Sequence, residues 1–205
     1  MQHMNKTVRS TMLAAFVFGL IPAATFAQHY TQTNLTSDIS GLAPVTDANL
    51  KNPWGITRSS AGPWWVANNN SGTSTLYDGT GTIIPLVVVV PPPKSTPNAV
   101  SAPTGIVYNG SSTNFLLAPG KAADFIFATE DGTISGWNPG LTDGKHAVLV
   151  VDNSDNGSSK GAVYKGATSG DIDGNTVSLR HQFPLRQSRG LQFAVPAHSP
   201  RSACL

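Results

Sequence analysis

The residues of this sequence best suited to chemistry are oxygen donors, and they are few. Asp152-Asn153-Ser154-Asp155-Asn156-Gly157 opens like a calcium-binding loop, with Asp152, Ser154 and Asn156 at alternate positions and glycine at the sixth. Ca2+ or another hard divalent ion takes several such oxygens. The twelfth position, where the helix–loop–helix pattern needs glutamate, holds Val163, and the flanks read as strands. Asp152, Ser154 and Asn156 are therefore candidate metal ligands with an incomplete set. Glu130-Asp131 pairs two carboxylates, but adjacent strand residues point to opposite faces and do not share a proton. Asp131 reads more simply as a turn residue. Asn68-Asn69-Asn70 offers amide oxygens, yet before Ser71-Gly72 it has the composition of a hairpin loop. The five histidines (3, 29, 146, 181 and 198) have no ligand spacing, and one cysteine, Cys204, supports neither a disulfide nor a Cys-based zinc site.

These groups need positioning elements, and the sequence supplies strands. Trp64 to Ala67, Thr73 to Tyr77 and Thr82 to Val90 are β-prone runs separated by Asn/Gly- and Asp/Gly-rich turns. Gly105 to Tyr108, Asp124 to Glu130 and Thr133 to Trp137 form a second series, with Asp131-Gly132 as a hairpin signal because both residues tolerate positive φ. A third series starts at His146 to Val151 and reaches Gly161 to Lys165. Helical periodicity is confined to the N-terminus. There, Lys6 and Arg9 precede the apolar run Thr11 to Ile21 and the small-residue stretch Ala23 to Ala27. This is the three-part pattern of a secretory signal, and the apolar run is shorter than the roughly 20 residues of a membrane span. Residues 1–27 are read as a cleaved signal peptide, and the mature protein as exported, periplasmic or extracellular, with no membrane span.

The series repeat. Asn52-Pro53-Trp54-Gly55-Ile56 matches Ala102-Pro103-Thr104-Gly105-Ile106, and an aromatic-led strand follows each, Trp64 to Ala67 and Phe125 to Ala128. Units of roughly 40–50 residues with about four short strands mark β-propeller blades. Proline fixes the approach to an innermost strand, and glycine lets crowded backbones pass. Residues 50–165 are therefore read as an all-β, partial (truncated) β-propeller of about two to three blades, behind a lead-in of residues 28–49. The strings Asn52 to Ile56, Trp64 to Asn69, Pro103 to Val107 and above all Phe127-Ala128-Thr129-Glu130-Asp131-Gly132-Thr133-Ile134-Ser135-Gly136-Trp137 resemble a family of secreted, mostly bacterial, conserved hypothetical proteins. That family is similar to six-bladed propellers of the NHL-repeat group. The resemblance implies fold and export; the family itself implies no reaction.

From Gly166 to Leu205 the basic residues change from lysine to arginine (180, 186, 189 and 201), and strand–turn alternation lapses. Residues 166–205 are read as an aberrant, disordered tail, the product of a frameshift or truncation. Charged residues are 12% of the 205 and the net charge is +2, so no basic field argues for nucleic acid. The functional expectation is a binding or interaction module for a protein or carbohydrate partner, without catalysis in this form. Asn52, Trp54 and Thr104, at the inner-strand starts, are the ligand-facing candidates. Open blade faces would favour self-association. The alternative, which the resemblance to six-bladed propellers implies for the full-length parent, is a metal-dependent hydrolase of the esterase or lactonase kind, in which a channel ion polarises the carbonyl and activates water. Trp54 and Thr104 at the matching starts supply no carboxylate for one. The exported protein is expected to begin at Gln28, checked by intact mass; secreted or periplasmic material that retains Met1 would contradict the signal-peptide reading.

Overall fold

Short β-prone runs joined by tight turns pair with their sequence neighbours, because that closes the smallest loops. The computed structural model describes residues 30–155, 160–172, 175–182 and 193–194. Among the described residues every named element is a strand, so the fold is all-β. The described residues from Asn34 onward form one compact unit. Strands β1 (Thr36–Ser37) and β2 (Val45–Thr46) form a short parallel pair ahead of the main sheets. Next, β3 (Pro53–Thr57), β4 (Trp64–Asn68), β5 (Thr73–Tyr77) and β6 (Ile83–Val89) make a four-stranded antiparallel meander in chain order. Its last strand carries Pro85 at an irregularity, where Leu76 pairs with Ile84 and Thr75 with Val87. An edge-strand bulge is where proline costs no ladder bond.

The second sheet repeats the plan. β7 (Pro103–Tyr108) is followed by a small hairpin, β8 (Leu116–Ala118) with β9 (Lys121–Ala122). Then β10 (Phe125–Thr129), β11 (Thr133–Trp137) and β12 (Val148–Asp152) complete the order β7-β10-β11-β12. Gly132 turns the β10–β11 hairpin at φ 80° and Gly72 the β4–β5 hairpin at φ 65°, the left-handed region that glycine enters without cost. A third antiparallel sheet holds β13 (Tyr164–Ile172), β14 (Asn175–Gln182) and β15 (Phe193–Ala194). The sequence boundary drawn after Lys165 falls inside β13.

Pairing registers make the first two sheets equivalent position by position. Ile56 pairs with Val66 as Ile106 pairs with Phe127, and Trp64 pairs with Tyr77 as Phe125 pairs with Trp137. Equivalent residues face the same way along the stack. In the second sheet Ile106, Phe125, Phe127 and Trp137 are buried against Trp65, Ala67 and Leu76 of the first. Trp65 stacks on Phe125 at 4.1 Å and meets Trp137 at 4.8 Å. The opposite face of the second sheet, with Val107, Ile126, Ala128 and Ile134, packs against Ala162 and Tyr164. The face that Ile106, Phe125, Phe127 and Trp137 present is the leading face of its sheet, and their equivalents on the first sheet are Ile56, Trp64, Val66 and Tyr77. Tyr77 is sealed by the lead-in, its hydroxyl donating to Asp47 Oδ2 at 2.7 Å, and burial pushes this phenol well above its ordinary pKa. Ile56 and Trp64 stay 61% and 37% exposed.

The first strands of the three sheets meet backbone to backbone. A Cβ on Gly55 would lie 3.0 Å from Thr104 O and Ile106 N, and one on Gly105 would lie 2.7 Å from Gly166 C, with Ala167 N nearer still. Side-chain carbons essentially never approach backbone as closely as at Gly105 and rarely as closely as at Gly55, so the crossing favours glycine at both. Replacing either Gly55 or Gly105 with alanine should destabilise the fold by on the order of 1–3 kcal/mol, more at Gly105, as read from denaturant unfolding. Unfolding midpoints equal to the parent's would contradict this packing.

Candidate functional site

The end of the stack where β3, β7 and β13 begin also carries the β4–β5 and β10–β11 turns. Asn52, just before β3, adopts φ 50°, a left-handed conformation that asparagine tolerates better than most residues. Its carbonyl accepts from Asn69 N at 3.1 Å, as the equivalent Ala102 carbonyl accepts from Glu130 N at 2.9 Å. This repeated bond places Asn69 and Glu130 at matching points of successive sheets. Asn52 Nδ2 donates to Asn70 Oδ1 at 3.1 Å and Asn69 Oδ1 at 3.3 Å. Asn69 Nδ2 in turn donates to Glu130 Oε2 at 3.0 Å. The other carboxylate oxygen, Oε1, accepts from Lys165 Nζ on β13. That ammonium also lies 5.4 Å from the centre of the Trp54 ring, within cation–π range. Five side chains from three sheets thus form a circuit: Asn52, Asn69, Glu130, Lys165 and Trp54.

The two halves of the circuit differ in exposure. Asn69 is buried, whereas Trp54 is 46% exposed and the Lys165 and Glu130 side chains are about one-third exposed. Thr104 is buried, its hydroxyl donating to Tyr164 O at 2.7 Å across β7 and β13, so it braces the strands. Asp131 turns away from Glu130 and accepts from Ala102 N at 2.6 Å. The circuit offers an aromatic face, amide donors and acceptors, and a carboxylate paired with its cation. Among the described residues the circuit holds no second carboxylate for proton relay, and a single pre-paired carboxylate cannot supply the oxygen set of a divalent ion.

The incomplete calcium loop is occupied by its own chain. Asp152 Oδ1 accepts from Ser154 Oγ at 2.6 Å and Ser154 N at 3.1 Å, and Oδ2 accepts from Lys94 N at 2.8 Å. The Ser154 hydroxyl, then the Lys94 amide, hold its pKa below the ordinary value. Asn156 lies outside the described residues. No cluster of three or more His, Cys, Asp or Glu able to hold a metal occurs among the described residues.

Beside this end lies a cleft of about 410 Å3 lined in part by Ser71, Val90, Pro92, Val100, Ser101 and His146. His146 Nδ1 lies 2.9 Å from both oxygens of Asp143. That contact, with the Lys145 amide, lowers the Asp143 carboxyl from 3.8 to about 2. A depressed carboxyl contributes stability above its ordinary pKa and loses that contribution as pH falls through the folded value. The Asp143 tie should therefore persist through pH 3.8 and release near 2, as read from the carboxyl carbon shift in an NMR titration; a midpoint at the ordinary value would contradict the pairing.

Sequence reasoning named Asn52 and Trp54, and the structure brings these together. It missed Lys165, read Asn69 as part of a hairpin loop, and set Glu130 aside as a strand residue that shares no proton with Asp131. Aligning Tyr164-Lys165-Gly166-Ala167 with Pro53-Trp54-Gly55-Ile56 would have placed Lys165 at the Trp54 position.

The chain is similar to two proteins of Acanthamoeba polyphaga mimivirus. It is 33% identical to Uncharacterized protein R648 over 108 residues, covering 51% of this chain and 26% of that protein. It is 30% identical to Uncharacterized protein L690 over 152 residues, covering 73% of this chain and 38% of that protein. The chain thus spans well under half the length of either curated relative. No family profile and no solved structure matches it.

Proposed function

We propose that this chain is part of an exported β-propeller and serves as a binding module rather than a catalyst, taking its ligand at the Trp54 end. Three features support the propeller reading: two four-stranded meanders of identical order, their same-sense stacking, and the recurring glycine at the inner strand. Export rests on the residues of the N-terminal segment. The resemblance to secreted NHL-like proteins points the same way.

The observation that carries the binding role is the Trp54 ring, 46% exposed and held beside the Lys165–Glu130 pair. Binding surfaces combine an exposed apolar plate with fixed polar groups in this way. The plate suits the C–H face of a sugar ring or an apolar side chain, and the Asn52 and Asn70 amides suit hydroxyl or peptide groups. The partner class is therefore a carbohydrate or a peptide segment of a protein. The hydrolase alternative draws no support from this end, where both oxygens of Glu130 are engaged.

Calorimetric titration with soluble oligosaccharides and with short peptides tests the reading. One class should bind saturably, and Trp54→Ala should weaken that binding at least about tenfold, or roughly 1.4 kcal/mol, with little change in thermal unfolding. Binding unaltered by both Trp54→Ala and Glu130→Gln would contradict the site.

A further inference from the structure

We infer that a second copy of this chain docks head to tail, its β13 lying against the β3 face of the first. Within one chain the same interface occurs twice. Gly55 of β3 faces the backbone of β7 at Thr104 to Ile106, and Gly105 of β7 faces the backbone of β13 at Gly166 and Ala167. The third position in that series is Gly166, and among the described residues a Cβ built on it meets nothing within 4 Å. At the other end of the stack, the leading face of β3 and β4 is open. Ile106 and Phe125, which present this face on the second sheet, are 4% and 6% exposed; their equivalents Ile56 and Trp64 are 61% and 37% exposed.

The details of the two leading faces also agree. Tyr108 packs its ring on Phe125 at 5.5 Å, and the equivalent Arg58 lies over the Trp64 ring at 5.0 Å. Ile83, which pairs with Tyr77 in the same row, adds a third apolar group at 39% exposure. Each chain therefore carries both halves of an interface whose geometry it already uses: a glycine-centred trailing strand and an apolar leading strand. The two surfaces are different, so the contact is heterologous, and repetition either closes a ring or extends a filament. Large unpartnered apolar faces are otherwise uncommon on soluble chains. The inference uses the stacking of the sheets and is independent of what binds at Trp54.

Analytical ultracentrifugation of the purified chain from low to high micromolar concentration tests it. Concentration-dependent association is expected, as a discrete ring or as a ladder of longer species. Gly166→Val places bulk only where the partner would lie, so it should raise the dissociation constant at least about tenfold while leaving thermal unfolding unchanged. Ile56→Glu, on the opposite surface, should do the same. A chain that stays monomeric throughout, or that associates equally in the Gly166→Val and Ile56→Glu variants, would overturn the proposal.

Discussion

The rest of the molecule depends on how closely strand backbones can approach where neither carries a side chain. Gly55 against Thr104 to Ile106, and Gly105 against Gly166 and Ala167, bring the first strands of three sheets into direct contact. One β-carbon at either point would separate them. Further out in the same gap between the first two sheets, the space is filled by Trp65, Phe125 and Trp137. Small residues at the first strands and large aromatics beside them set how one sheet lies on the next. Burial of these rings then supplies the apolar stabilisation that a lone four-stranded sheet cannot obtain.

The polar circuit follows from that convergence. Strands that touch at their glycines bring their starts and the neighbouring turns to one place. Trp54 and Lys165 occupy corresponding positions on β3 and β13, and Asn69 and Glu130 correspond in the two hairpin turns. Four residues repeated along the chain thereby become one cluster, with Asn52 as the fifth. The lead-in performs a different task. Asp47 meets Tyr77 and closes the outer part of a face that an earlier sheet would otherwise cover, while Ile56 and Trp64 stay open.

Much of this was legible in the sequence. Strand alternation, the Asp131-Gly132 turn and the repeated Pro-x-Gly-Ile motif identified two equivalent sheets and the role of both glycines, because local turn chemistry and backbone sterics decide them. Asn52 and Trp54 followed from the same motif. Thr104 was expected to face a ligand and instead bonds to the Tyr164 carbonyl, since a small hydroxyl at a crowded crossing finds a backbone acceptor first. Lys165 was missed because the third copy of the motif retains only its glycine, with Tyr164 in place of proline and Ala167 in place of isoleucine. The change in basic residues after that point drew a boundary through what is a strand. Asp152 resembled a metal ligand because the residues suited to cation binding also cap turns, and only the contacts with Ser154 and Lys94 distinguish the two uses.

The claim on which the account rests is the backbone contact between the first strands of successive sheets, and a proton NOE experiment tests it most directly. The account predicts strong cross-peaks from Gly55 Hα to the Ile106 amide and from Gly105 Hα to the Ala167 amide, alongside ordinary cross-strand peaks within each sheet. Cross-strand peaks with neither glycine contact would show correctly formed sheets that do not stack through their first strands, and would contradict it.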